Sequence, residues 1–284
     1  MDKLFPKLPL DQWVETLVRY LWKQAGGGFD LIKMFISGWV DFLAFLFMGL
    51  PDWAMILVFS LLAWLLSKRS VAIFTFIGLS LVSNLGYWAN TMQTLALVLT
   101  AALISIILGI PTGIMCARKK AVRDVVMPVL DFMQTMPAFV YLIPAIFFFG
   151  IGEVPGVIAS VIFAMPPTIR LTNLGIRQVP VELVEAADSF GSTAAQKLLK
   201  VQLPLAKPTI MAGVNQCIML SLSMVVIASM IGAKGLGADV YRAVTQIKIG
   251  KGFEAGLAIV ILAIMLDRVT QHIGNHKKNK GERV

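Results

Sequence analysis

Long apolar runs separated by short charged stretches dominate this chain. No Asp, Glu, Lys or Arg occurs from Ser70 to Ala117, from Phe132 to Gly152, from Val154 to Ile169, or from Pro208 to Ala233. A helix needs roughly 20 apolar residues to cross a bilayer, so the first run holds two spans and each of the others about one. With their flanks, the runs predict seven transmembrane helices near 51–67, 70–88, 91–117, 128–150, 154–172, 207–231 and 253–271. The first is the shortest, with charge-free residues only from Trp53 to Ser67. Pro111, Pro137, Pro144 and the pair Pro166-Pro167 fall within or near spans and should kink them.

The N-terminal region reads differently. Residues 1–28 are mixed polar and apolar and end in Gly26-Gly27-Gly28, a predicted hinge. They hold no continuous apolar core before a small-residue cleavage site, so no signal peptide is expected. From Phe29 to Met48 most positions are apolar, but Asp30, Lys33, Ser37 and Asp41 recur at helical spacing as a polar stripe. A helix patterned this way lies in the membrane interface, and residues 1–48 are read as a polar tail plus an amphipathic interfacial helix. Residues 49–90 then hold two peripheral spans, 91–272 the core, and 273–284 a basic tail.

Composition supports a lipid environment: 57% of residues are hydrophobic and only 14% charged. The net charge of +9 sits mostly in loops between spans, which marks topology rather than a nucleic-acid surface. Lys68-Arg69, Arg118-Lys119-Lys120, the 170–207 segment and Lys277-Lys278 fall on one side, which is therefore cytoplasmic; the turns at 88–91 and 150–154 carry no basic residue. Seven spans put the N-terminus outside and the C-terminus in the cytoplasm; if 29–48 crosses as well, both termini lie inside. Cys116 and Cys217 lie in apolar runs and read as core residues, His272 and His276 lie in the basic end, and no metal-ligand spacing is present.

One polar segment stands out between spans. Pro180 suits the start of a short helix, Val181 to Ser189, with Glu182 and Glu185 near its positive end. Gly191 is placed to take the left-handed conformation that closes it. Thr193-Ala194-Ala195-Gln196 reads as a capping box opening a second helix, which Pro204 should stop before the next span. Val184, Ala187, Phe190, Leu198, Leu199 and Leu203 give this hairpin an apolar face to bury, and small Ala186 and Ala187 allow close approach by a partner.

From about Met92 to Gln271 the chain resembles the binding-protein-dependent permease core of type I ABC importers. The hairpin matches the EAA loop of that family at Glu185, Ala186, Ala187, Gly191, Leu203 and Pro204, with Val201 where Ile is usual. Further segments resemble the permeases of glycine betaine/proline betaine importers of the osmoprotectant uptake class. They are Gln134 to Pro144 (QTMPAFVYLIP), Phe149-Gly150-Ile151-Gly152, Pro166 to Thr172, Leu222 to Ala228, and Ile231 to Gly237, with Lys234 where the family commonly has a small residue. The long N-terminal extension fits the betaine branch better than the shorter choline-type permeases.

The resemblance implies an all-α polytopic membrane protein of the type I importer permease fold that is not itself an enzyme. It implies a second copy of the chain, ABC ATPase subunits docked on residues 181–204 and an extracytoplasmic substrate-binding protein. No cofactor is expected in the chain: ATP and Mg would be bound by the ATPase, and no phosphate-binding loop occurs here. Glu185 is the expected polar anchor to the ATPase, and Gly191 fixes the turn. Gln134, Phe139 and Tyr141 of the fourth span, with Ser223 and Met224 of the sixth, are candidates to line the path. Choline or carnitine is the alternative substrate. An ion-coupled carrier would call for buried carboxylates and inverted repeats, and an intramembrane enzyme for a nucleophile–base or metal set; neither pattern is found.

Overall fold

The computed structural model describes residues 9–275, and the predicted basic tail around Lys277 to Arg283 lies outside them, as do the first eight residues. The core is a cluster of three mutually packed helices. α7 (Glu153–Arg177) packs along both α4 (Trp88–Arg118) and α10 (Leu203–Ser229), which also touch each other. Lipid tails offer no hydrophobic incentive for helices to associate, so close contact depends on small residues. Gly113 shows the tolerance: a Cβ there would sit 2.6 Å from Thr172 Cβ and 2.8 Å from the Ile169 carbonyl oxygen. Thr168, Thr172, Ser105, Ser221 and Cys217 fill the rest of this seam, all buried. α12 (Ile249–Asn275) packs on α10, on the short α11 (Leu236–Thr245) and on α3 (Arg69–Asn84).

Among the described residues, five helices are long and apolar enough to cross a membrane, or six when one bent pair is counted as a span. The seven-span expectation differs at three places. α2 (Asp52–Leu66) and α3 (Arg69–Asn84) form a peripheral hairpin of 15 and 16 residues. Each is roughly 22–24 Å long against a hydrocarbon core of about 30 Å. The fourth span begins earlier than expected and is broken, with α5 (Lys120–Thr135) and α6 (Ala138–Phe149) meeting at 99°. Pro137 has no N–H to continue α5, and it holds Met136 extended at φ −69°, ψ 135°. Prolines elsewhere do not break their helices: Pro111, Pro144 and Pro166-Pro167 all lie inside helices.

The third difference is α1 (Leu10–Met48), one helix of 39 residues that runs straight through the glycine triad where a hinge was expected. Length and apolarity qualify it as a span, yet its partners all lie at one end of the bundle. Trp22 meets Phe147 edge-on with centroids 6.3 Å apart, and Phe29 stacks on Phe148 at 4.4 Å. Asp41 shares a cavity with Gln93, Glu153 and Lys234. From Trp22 to Asp41 the helix advances about 28 Å while touching only the ends of α6, α7 and α4. It lies across the bundle at the end away from residues 181–204, anchored by Ile36, Val40 and Phe47. Lys234 therefore faces the two carboxyl side chains of that cavity.

Candidate functional site: an exposed hairpin and a polar face

The hairpin forms as its local residues dictate. α8 (Val181–Ser189) ends where Gly191 adopts φ +73°. Ser192 N–H donates to the Ala187 carbonyl at 3.0 Å and Gly191 N–H to that of Asp188 at 2.9 Å, the paired bonds of a Schellman stop. The capping box is complete: Gln196 N–H donates to Thr193 Oγ1 at 3.3 Å, and Thr193 N–H donates to Gln196 Oε1 at 2.9 Å. It opens α9 (Ala194–Lys197). Lys197 Nζ donates to both oxygens of Asp188 at 2.7 Å, tying the two arms together.

Two expectations for the hairpin are corrected. Pro204 does not stop the second arm. Leu198–Gln202 form a π-helical turn, and the chain continues without interruption into α10, so that 194–229 is one helical rod. Leu203 N–H donates to the Leu198 carbonyl across the widened turn, and Pro204 follows directly where the regular i→i−4 ladder is already interrupted. The apolar residues also do not share one buried face. Ala187 and Leu198 are buried, and Leu198 packs with Ile176, Ala206 and Ile210 at the hairpin root. Phe190 is 90% exposed and Leu199 63% exposed. Glu185 and Ala186 are exposed on the same helix, with Val201 and Leu203 half-buried at the root and Pro204 exposed. A periodic apolar pattern shows which residues avoid water but not which molecule covers them, and this chain does not cover Phe190.

The residues expected along a path separate into two groups. Gln134, Phe139 and Ser223 are exposed on the surface of the single chain. Tyr141 and Met224 are packed instead, together with Leu142 and Ala159, and the Tyr141 hydroxyl donates to the Met133 carbonyl at 2.6 Å. That bond spans the α5–α6 break, which makes Tyr141 a brace for the bend. Asp131 sits in the fourth turn of α5. It accepts from Arg170 of α7 at 2.5 Å, and its side chain remains 66% exposed. Gln216, on the exposed face of α10, was not singled out from the sequence; its four-residue spacing from Ala212 was the available signal.

An exposed, rigidly capped hairpin rooted in a helical rod suits a protein that receives motion from a partner. Comparison with known proteins gives the family. Residues 109–278 match the family described as binding-protein-dependent transport system inner membrane component. The chain is 57% identical to the glycine betaine transport system permease protein OpuAB of Bacillus subtilis, over 99% of both chains. It is 56% identical to the glycine betaine/carnitine transport permease protein GbuB of Listeria monocytogenes, over 98% of this chain and 99% of that one. It is 47% identical to the glycine betaine/proline betaine permease ProW of Escherichia coli, over 97% of this chain and 78% of that one. Among solved structures, the MetNI methionine ABC transporter is similar at TM-score 0.59 and 20% identity, over 64% of this chain and 92% of the other. The fold is thus that of type I ABC importer permeases, and the ATPase is a separate subunit. The chain belongs to the family of binding-protein-dependent transport system inner membrane components.

Proposed function

We propose that this chain forms, with a second copy of itself, the translocation pathway of an ATP-driven importer for glycine betaine and proline betaine. The substrate class rests on the relatives, three of which are named for glycine betaine and match nearly the whole chain. The choline permease OpuBB of B. subtilis is only 29% identical over 63% of the chain, which disfavours the choline alternative. Carnitine stays as a second reading, because the name of GbuB includes it.

The observation that carries the mechanism is the hairpin 181–204: exposed at its tip, capped at both turns, and continuous with α10. In this reading each hairpin docks on an ATPase subunit on the cytoplasmic side. Glu185 offers a polar anchor and Phe190 an apolar one, and closure of the two ATPases drives the pair of α10 rods together as rigid bodies. Gln134, Phe139 and Ser223 face the space between the copies, while Tyr141 and Met224 hold the α5–α6 bend. The exposed Asp131–Arg170 pair fits a protein-lined or watered surface, since charged groups at membrane depth avoid lipid. α1 lies across the extracytoplasmic end, within reach of the binding protein.

The test is uptake by the complex reconstituted with its ATPase and binding protein in vesicles. Glycine betaine should enter only with ATP, and excess proline betaine should compete. Accumulation without ATP, driven by an ion gradient, would overturn the reading.

A further inference from the structure

The exposed face of α10 carries polar and small residues at depths where lipid contact would select leucine. Ala212, Gln216 and Ser223 recur along one face of the helix and are all exposed. Leu171 of α7 rises on one side of this face and Gln271 of α12 on the other. They enclose a groove of about 590 Å³, floored by Ala212, Asn215, Gln216 and Met219.

Its polar groups are organised by a carboxylate behind it. Asn215 Nδ2 and Gln271 Nε2 both donate to Asp267 Oδ1 at 2.7 Å, and the Thr270 hydroxyl donates to Asn215 Oδ1 at 2.6 Å. The Arg268 guanidinium stands 4.0 Å from the other Asp267 oxygen. The carboxylate is thus compensated and shows the groove amides rather than bare charge. Hydrocarbon is a poor solvent for such a set, and polar groups inside a membrane face water or other protein.

We propose that this groove is a water-filled transit site for a small zwitterion on the hairpin side of the pathway. The inference rests on the transport reading above and adds the place. Amides suit such a cargo, because their N–H groups meet its anionic end and their carbonyls its cationic end. The thioether of Met219 offers soft apolar contact to methyl groups. A wall of one charge would hold one end and repel the other.

Thiol accessibility tests this in the complete complex in lipid nanodiscs. Cys116 and Cys217, both buried, are first replaced by alanine. Gln216→Cys and Ala212→Cys are then compared with Leu57→Cys, a control on the apolar outer surface of α2 where Leu57 is 53% exposed. The probes are methanethiosulfonates ending in trimethylammonium or in sulfonate, with rates normalised to a free thiol. Both groove cysteines should react with both probes at similar rates, about tenfold or more faster than the control, because a thiol in hydrocarbon is not reached by charged reagents. Rates as slow as the control at both positions would overturn the proposal, as would reaction with one charge alone. ATP-driven betaine uptake by the same variants reads separately: uptake intact with unreactive groove cysteines removes the groove and leaves the transport reading standing.

Discussion

Phe190 stands almost wholly in solvent beside a turn closed by three backbone hydrogen bonds, from the N–H groups of Phe190, Gly191 and Ser192. An aromatic side chain held out on a rigid support is typical of a residue that anchors an interface. Phe190→Ala should therefore leave the melting temperature of the isolated subunit unchanged while weakening ATPase binding by about 2 kcal/mol, roughly thirtyfold in Kd. Titration of labelled ATPase onto the detergent-solubilised permease checks both halves. Gly191 makes a complementary case. No atom lies within 4 Å of a Cβ built there, yet its φ is +73°. Gly191→Val thus loses about 1–2 kcal/mol from backbone conformation alone, and Gly191→Asn should recover most of it, since Asn tolerates this region. Uptake at matched membrane abundance should fall for valine and largely return for asparagine.

At the scale of elements, the α5–α6 bend and the α4–α7 seam bear opposite kinds of risk. Pro137→Ala restores the missing donor and lets α5 run on. Spin labels at positions 120 and 147 should then move from about 28 Å apart toward about 40 Å, the value for a straight helix, and uptake should drop with insertion unaffected. Gly113→Leu instead drives a side chain into Thr172 and the Ile169 carbonyl. Overpacking of about 1–3 kcal/mol should lower the melting temperature and the folded yield. The sequence shows the hairpin best because caps are local chemistry: Gly191, Thr193 and Gln196 act within a few residues of themselves. Helix continuity is less legible. Gly26 to Gly28 and Pro204 weaken or block helix by local rules, yet α1 runs through the open glycine triad, flanked by the anchored Trp22 and Phe29, and a widened turn carries the chain past Pro204. Pro137 breaks its helix where Pro166 does not: Pro166 is buried in the core, where neighbouring helices hold α7 in line, whereas Pro137 is exposed. Exposure of the candidate path residues was half legible: polar identity points Gln134 and Ser223 to the surface, but one residue's difference in register places Met224 in the core.

For the whole molecule, the proposed mechanism depends on transmission between ends. Leu199→Gly with Lys200→Gly softens the π turn by about 1 kcal/mol per residue without touching the hairpin tip. The expected result is uncoupling, in which the complex still binds its ATPase and hydrolyses ATP while betaine moved per ATP falls. Parallel assays of phosphate release and uptake measure that ratio. The rod from Ala194 to Ser229 contains 36 residues, or about 54 Å of axis. Pivoted near one end, a tilt of about 5° displaces the other by about 5 Å, comparable to one helical turn. Just past the rod's tip, the Ile231 carbonyl accepts from Gly152 N–H at 2.9 Å, so the swing reaches the segment that joins α6 to α7 and borders α1. In the mechanism proposed above, opening one mouth and closing the other follow from the movement of this one stiff lever in each copy.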